Sequence, residues 1–195
     1  MKTDDLSNYS MTETLRDQRT VTIRAIRPDD KGLVIEGLNN VSAESIYRRF
    51  LAVRKELTAE GLKKVTEVDF MNVVALVAVV ENDGNDQIVG GGRYIRTTEQ
   101  KAEVAFLIGD AFQGLGIASL LFKHLLTIAR ASGITQFEAD VLPSNEAMFR
   151  VFARSGIPLT RTATRDSVHL LMELSRGVTA GLKANGNREE KEEQG

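Results

Sequence analysis

The chain of 195 residues has the length of one ordinary domain, which at this size buries about 70 % of the surface exposed by its unfolded form. Its 42 % hydrophobic and 27 % charged residues are globular values that exclude a wholly disordered or fibrous chain. With no cysteine it forms no disulfide scaffold, thiolate zinc site, iron–sulfur cluster or cysteine nucleophile, and with 25 Lys and Arg against 27 Asp and Glu it lacks the basic field that holds nucleic acid.

No apolar h-region opens the chain, and its longest apolar run, residues 73–80, is far short of the ~20 residues that cross a membrane. The expectation is a cytoplasmic protein with neither membrane nor nucleic acid as partner. Residues 1–18 are polar and read as a flexible arm that buries too little to order itself. Residues 176–195, with four basic and four acidic residues and no aromatic, read as a solvated tail, which leaves residues 19–175 as the folded domain.

The first expected strand is 20–26, where Val21, Ile23 and Ala25 alternate with Thr22 and Arg24 before the breaker Arg27-Pro28-Asp29-Asp30. Ser42 is placed to cap a helix whose Ile46, Tyr47, Phe50 and Leu51 share one face, and 57–68 carries a weaker helical pattern. Residues 73–80 read as a strand covered on both faces, and Asn82-Asp83-Gly84-Asn85 turns it into a second strand at 88–95. A third follows at 102–108, so the middle of the chain is an antiparallel meander. After a loop at 109–114, a helix over 116–132 aligns Ile117, Leu121, Leu125 and Ile128 on one stripe, with His124 assigned to the outer side and Gly133 as a left-handed cap. Phe137, Ala139 and Val141 alternate in the next strand, Pro143-Ser144-Asn145 starts a helix that Gly156 and Pro158 stop, and the last strand is 168–174. This order predicts an α+β fold with a single mixed, mostly antiparallel sheet flanked by helices.

The sharpest local feature is Gln113-Gly114-Leu115-Gly116-Ile117-Ala118, at a junction between strand and amphipathic helix. The first amides of a helix have no intrahelical partner and its dipole favours negative charge, so such a junction receives a phosphate without needing a lysine. A turn that merely joins two elements remains the alternative. So does a dinucleotide fingerprint, from which Gly114-Leu115-Gly116-Ile117-Ala118-Ser119 is one residue away, with Glu138 and Asp140 where a ribose-binding acid belongs. Against that fingerprint, Ser119 replaces its third glycine and an antiparallel meander precedes it. A Walker loop is excluded because no Gly-Lys-Ser/Thr follows the glycines.

The pattern Gln-x-x-Gly-x-Ala resembles the diphosphate loop of the GNAT superfamily of acyl-CoA-dependent N-acetyltransferases. The likeness extends over about 21–174, through Ser42-Ala43-Glu44-Ser45-Ile46-Tyr47-Arg48-Arg49-Phe50, Val68-Asp69-Phe70, Val74-Ala75-Leu76-Val77-Ala78, Ile88-Val89-Gly90, Arg93-Tyr94 and Ala102-Glu103-Val104-Ala105-Phe106. These segments look like the catalytic domain of bacterial Pat-type protein lysine acetyltransferases, many of which carry a further domain for which this length leaves no room.

The resemblance implies acetyl-CoA as cosubstrate, with its pantetheine against the main chain of Phe106, Leu107 and Ile108 and its diphosphate on the amides of Gly114, Gly116, Ile117 and Ala118, within a cofactor site that also takes in Gln113 and Ser119. Asn145 matches an asparagine whose amide bonds the pantetheine arm; a plain helix cap is its other reading. Glu103 matches the glutamate that accepts the amine's proton, against the alternative of a solvent-facing carboxylate. Phe152 stands where many members have the tyrosine that protonates the departing thiolate, so no general acid is assigned. No metal is expected, since His124 and His169 lie 45 positions apart without a cysteine. Arg48, Arg49, Arg54 and Lys55 form a solvated helix face, or a surface for an acidic protein or a coenzyme phosphate. The activity implied is direct acetyl transfer to a lysine of a protein such as an acyl-CoA synthetase. The alternatives are a small amine or amino acid as acceptor, or a noncatalytic acyl-CoA sensor.

Overall fold

An uninterrupted run of β-branched and small apolar residues must be covered on both faces, which only the middle of a sheet provides. In the computed structural model, which describes residues 6–45 and 58–174, the run becomes β3 (Val73–Asn82), the third strand in chain order. Val74, Leu76, Ala78 and Val80 enter one core cluster, and Ala75, Val77 and Val79 the other. Asp83 and Gly84 turn the chain with φ of 51° and 78°, the double positive φ of a tight hairpin, and β4 (Asn85–Arg96) returns alongside.

The other strands are β1 (Ser10–Thr14), β2 (Thr20–Ala25), β5 (Lys101–Ile108), β6 (Gln136–Val141), β7 (Leu159–Ala163) and β8 (Val168–Glu173). They form one eight-stranded sheet in the order β1-β2-β3-β4-β5-β6-β8-β7. β5 and β6 are parallel and every other neighbouring pair is antiparallel. The mixed, mostly antiparallel α+β sheet is therefore present.

Two short helices, α1 (Lys31–Asn39) and α2 (Ala59–Thr66), cover one face through Val34 and Leu62. Thr58 caps α2 by accepting from the Gly61 amide at 3.1 Å. The longest described helix, α3 (Ile117–Ala131), lies on the other face with Leu121, Leu125 and Ile128 fully buried, as its stripe requires. Gly133 ends it at φ 80°. After β6, α4 (Glu146–Arg154) buries Phe152 against the same cluster. No described helix is long and apolar enough to cross a membrane.

Two sequence expectations need correction. Residues 1–18 are not wholly a flexible arm: β1 pairs with β2 from Ser10↔Arg24 to Thr14↔Thr20, and Leu6 and Leu15 are buried. β1 is an edge strand whose side chains are almost all exposed, so no apolar alternation marks it, and ladder hydrogen bonds with its hairpin partner β2 order it instead. His124 is not on an outer face; it is 5 % exposed, its Nδ1 lying 2.5 Å from the Tyr9 hydroxyl and its Nε2 3.0 Å from Glu13. The N-terminal hairpin covers that side of α3, which a helical stripe counted against one partner surface does not register. The rest of the Ser42 helix, the cluster from Arg48 to Lys55 and the tail 176–195 lie outside the described residues.

Candidate active site

The parallel pair β5–β6 is registered over only three residues, from Lys101↔Gln136 to Glu103↔Glu138. β6 then stays with β8 along its whole length, so residues 104–108 of β5 have main-chain groups on that side with no strand to pair them. An open sheet edge is a template for another extended chain. Here it borders a cavity of about 260 Å³, with Ala139, Asp140 and Val141 on the opposite wall and Asn145, Met148 and Phe152 at one end. The other end is the turn leading into α3, including Gln113, Gly114, Gly116, Ile117, Ala118 and Ser119.

That turn is shaped by its glycines. Gly114 has φ 79°, and Gly116, the N-cap of α3, has φ 97°, a region in which L side chains are strained. No side chain caps α3, so its first amides keep their capacity for an external acceptor. Gln113 does not point its amide at this space unencumbered: Nε2 donates to Asp110 Oδ1 at 2.9 Å and to Ser45 Oγ at 3.0 Å. Asp110 also accepts from the Ser45 hydroxyl at 2.6 Å and the Ser42 amide at 2.7 Å. The loop is thus tied to the segment that begins at Ser42.

Phe106, Leu107 and Ile108 line the cavity from β5. Asn145 caps α4 by accepting from the Met148 amide at 3.2 Å, and it is 9 % exposed on the cavity wall. Its cap and cavity positions coexist. Phe152 is 1 % exposed and packs edge-on against Phe122, with ring centroids 5.2 Å apart. It serves as an apolar wall with no proton to give.

Glu103 does not line the cavity; it occupies the last registered position before the strands part. Ala102, Val104 and Phe106 turn into the core below α3, so Glu103 stands on the opposite, exposed face. Arg93 is its charged neighbour from β4: burial lowers the guanidinium pKa, and the Glu103 carboxylate opposes that shift. On the same face Glu138 accepts from Thr97 at 3.0 Å, and Asp140 lies 3.1 Å from His169. Among the described residues no group of three or more His, Asp or Glu is arranged to hold a metal ion.

The profile of the GNAT acetyltransferase family matches residues 45–157. This chain belongs to the GNAT family. Among curated relatives, the GNAT chain is 34 % identical over 137 residues to an acetyltransferase of Pseudomonas aeruginosa, covering 70 % of itself and 74 % of that protein. It is 35 % identical over 136 residues to the acetyltransferase Pat of Mycolicibacterium smegmatis, covering 69 % of itself but 40 % of Pat. The crystal structure of the GNAT domain of S. lividans PAT superposes with a TM-score of 0.76 at 35 % identity, over 84 % of this chain and 96 % of that one. A Salmonella typhimurium structure holding its cofactor acetyl-CoA shares the fold at TM-score 0.63 and 20 % identity, over 81 % and 96 % of the two chains. The GNAT assignment removes the dinucleotide reading, since the glycine turn follows the last strand of an antiparallel meander rather than opening a βαβ unit.

Acetyl-CoA is the acyl donor of the GNAT family, and the chemistry of the cleft fits it. An unpaired strand edge suits the amides of pantetheine, and uncapped helix amides suit a diphosphate. Sequence reasoning overlooked Arg16, which also lines the cavity, and the Ser45–Asp110–Gln113 network. Arg16 lies in a polar stretch whose tight turn carries positive φ at Gln18, without the glycine or asparagine that would have announced it.

Proposed function

We propose that this GNAT enzyme works in the cytoplasm and acetylates a lysine of a protein such as an acyl-CoA synthetase. The observation that carries the reading is the five-residue open edge of β5 ending beside the uncapped start of α3. The likeness to Pat proteins supports the choice of acceptor. Pantetheine amides extend the sheet on the main chain of Phe106, Leu107 and Ile108, while the diphosphate accepts from the amides of Gly114, Gly116, Ile117 and Ala118. The Asn145 side-chain oxygen is used by its own helix, which leaves its amide N–H₂ for the pantetheine arm.

This arrangement lays the donor in the plane of the sheet and directs its thioester toward the point where β5 and β6 meet. The α3 face of that point is closed by packed core, so the amine arrives from the face that carries Glu103. A lysine ammonium, pKa ~10.4 in water, loses a proton before its nitrogen attacks, and Glu103 accepts that proton directly or through water. The nitrogen forms the new C–N bond as the C–S bond breaks, and the second proton it sheds passes to the departing thiolate or to water. The thiolate departs without a protein acid, which suits a thiol of pKa ~8.5 and the apolar Phe152. Holding amine and thioester together contributes much of the rate, and a main-chain N–H polarising the carbonyl contributes more.

The test is mass spectrometry of the purified enzyme mixed with acetyl-CoA, acyl-CoA synthetases and a panel of small amines. Acetyl-lysine on a synthetase is the expected result. An acetylated metabolite alone replaces the acceptor with a small amine, and binding without transfer makes the chain an acyl-CoA sensor.

A further inference from the structure

The turn between β1 and β2 reaches across to the glycine loop and contributes a cation to the cavity. The turn is anchored by Leu15, 2 % exposed, and closed by the Leu15 amide donating to the Arg19 carbonyl at 2.8 Å. The Arg16 amide donates to the Leu115 carbonyl at 3.2 Å, and Arg16 Nη1 donates to the Gly114 carbonyl at 3.0 Å. A Cβ on Gly116 would lie 3.6 Å from Arg16 Nε, so the side chain passes directly over that glycine. Arg19 holds the turn from its other end, with its guanidinium 5.1 Å from the Phe112 ring centroid and an ion pair to Asp17 at 2.7 Å. Arg16 meets a carbonyl oxygen and, among the described residues, no carboxylate.

A doubly charged diphosphate at the start of α3 has roughly half a positive charge from the helix dipole to meet it. The Gln113 amide is already engaged by Asp110 and Ser45. On the α4 wall, Arg150 is paired with Glu146 at 3.1 Å. Arg16 is the cation hydrogen-bonded to the glycine loop itself, with guanidinium N–H groups beyond the one that Gly114 uses.

We infer that Arg16 is a side-chain ligand of the coenzyme A diphosphate, so that the N-terminal hairpin forms a wall of the cofactor site. The inference rests on the acetyl-CoA reading above. Its guanidinium donates to a phosphate oxygen beside the Gly116 and Ile117 amides, a planar charged donor where the motif otherwise offers main chain alone.

Calorimetric titration of the full chain with CoA and with dephospho-CoA, for the wild type, Arg16→Gln and Arg16→Lys, tests it. Glutamine retains a donor for the Gly114 carbonyl but no charge; lysine retains the charge. Arg16→Gln is expected to weaken CoA and dephospho-CoA alike by about 10–100-fold, the worth of one charge-assisted hydrogen bond, and to flatten the salt dependence of binding. Arg16→Lys is expected to recover part of the loss, and KM for acetyl-CoA to rise in Arg16→Gln with kcat little changed. Equal binding by wild type and Arg16→Gln overturns the inference, and equal loss in both variants reduces Arg16 to a clasp on the loop. A loss seen with CoA but absent with dephospho-CoA moves its contact to the ribose phosphate and overturns the diphosphate assignment. Failure of the wild type to bind CoA overturns the acetyl-CoA reading itself.

Discussion

Glu103 interrupts an otherwise apolar strand, and its position explains why a carboxylate is tolerated there. It projects from the exposed face while its neighbours Ala102 and Val104 are buried on the other. Arg93 supplies a nearby positive charge that acts on Glu103 through its field. Glu103→Gln should therefore leave the Kd for acetyl-CoA unchanged while lowering kcat at neutral pH by at least about 100-fold, the usual contribution of a positioned base. Calorimetry and a thiol-release assay measure the two quantities, and unchanged turnover would remove Glu103 from the mechanism. The family motif brought this glutamate and the glycine loop into view because both lie within one continuous stretch of sequence. Arg16 escaped notice because it lies 98 positions from the carbonyl it bonds.

Among the elements, β4 shows how backbone makes room for the site. Its run Gly90-Gly91-Gly92 has the β-strand pattern on either side but no side chains to pack. A Cβ on Gly92 would meet the Phe106 ring at 2.7 Å and Leu125 at 3.2 Å. The Phe106 ring has little space to yield, being packed edge-on to Phe122 at 5.9 Å and tilted against Phe152 at 6.2 Å. Gly92→Ala should cost about 1–3 kcal/mol in a denaturant titration. It should also weaken acetyl-CoA binding, because Phe106 carries part of the open edge; an unaltered midpoint would show that the rings repack freely. Strands β3 to β6 and helices α3 and α4 were legible in the sequence because each carries its own period or its own caps. β1 was not, since an edge strand with exposed side chains gains its order from a neighbour.

The N-terminal hairpin ties the protein together from outside the central meander, and its other anchor is titratable. In the tautomer that satisfies both partners, the Tyr9 hydroxyl donates to His124 Nδ1 and His124 Nε2–H donates to Glu13. Burial lowers the His124 pKa below its ordinary 6.5, although Glu13 opposes the shift. The Lys123 hydrogen bond, with help from His124, holds Glu13 below its ordinary 4.5. The unfolded histidine thus takes up a proton that the folded one resists. The His124 contribution is complete above about pH 6.5 and fades as the pH falls toward the folded pKa, and the Glu13 contribution fades only at still lower pH. The melting temperature should decline as the pH falls below about 6.5, and less so in His124→Gln, as differential scanning fluorimetry would record. Identical slopes in the two proteins would place the acid sensitivity elsewhere. The order of elements, the mixed sheet and the glycine turn could be read from one dimension, because periodicity, turn chemistry and motif are properties of neighbours along the chain. The cleft between β5 and β6, the burial of His124 and the approach of Arg16 to Gly114 depend on which strands pair and where that pairing stops, and those contacts join residues from 35 to 115 positions apart. Such long-range closures follow from packing the assembled sheet and leave no local pattern to be read.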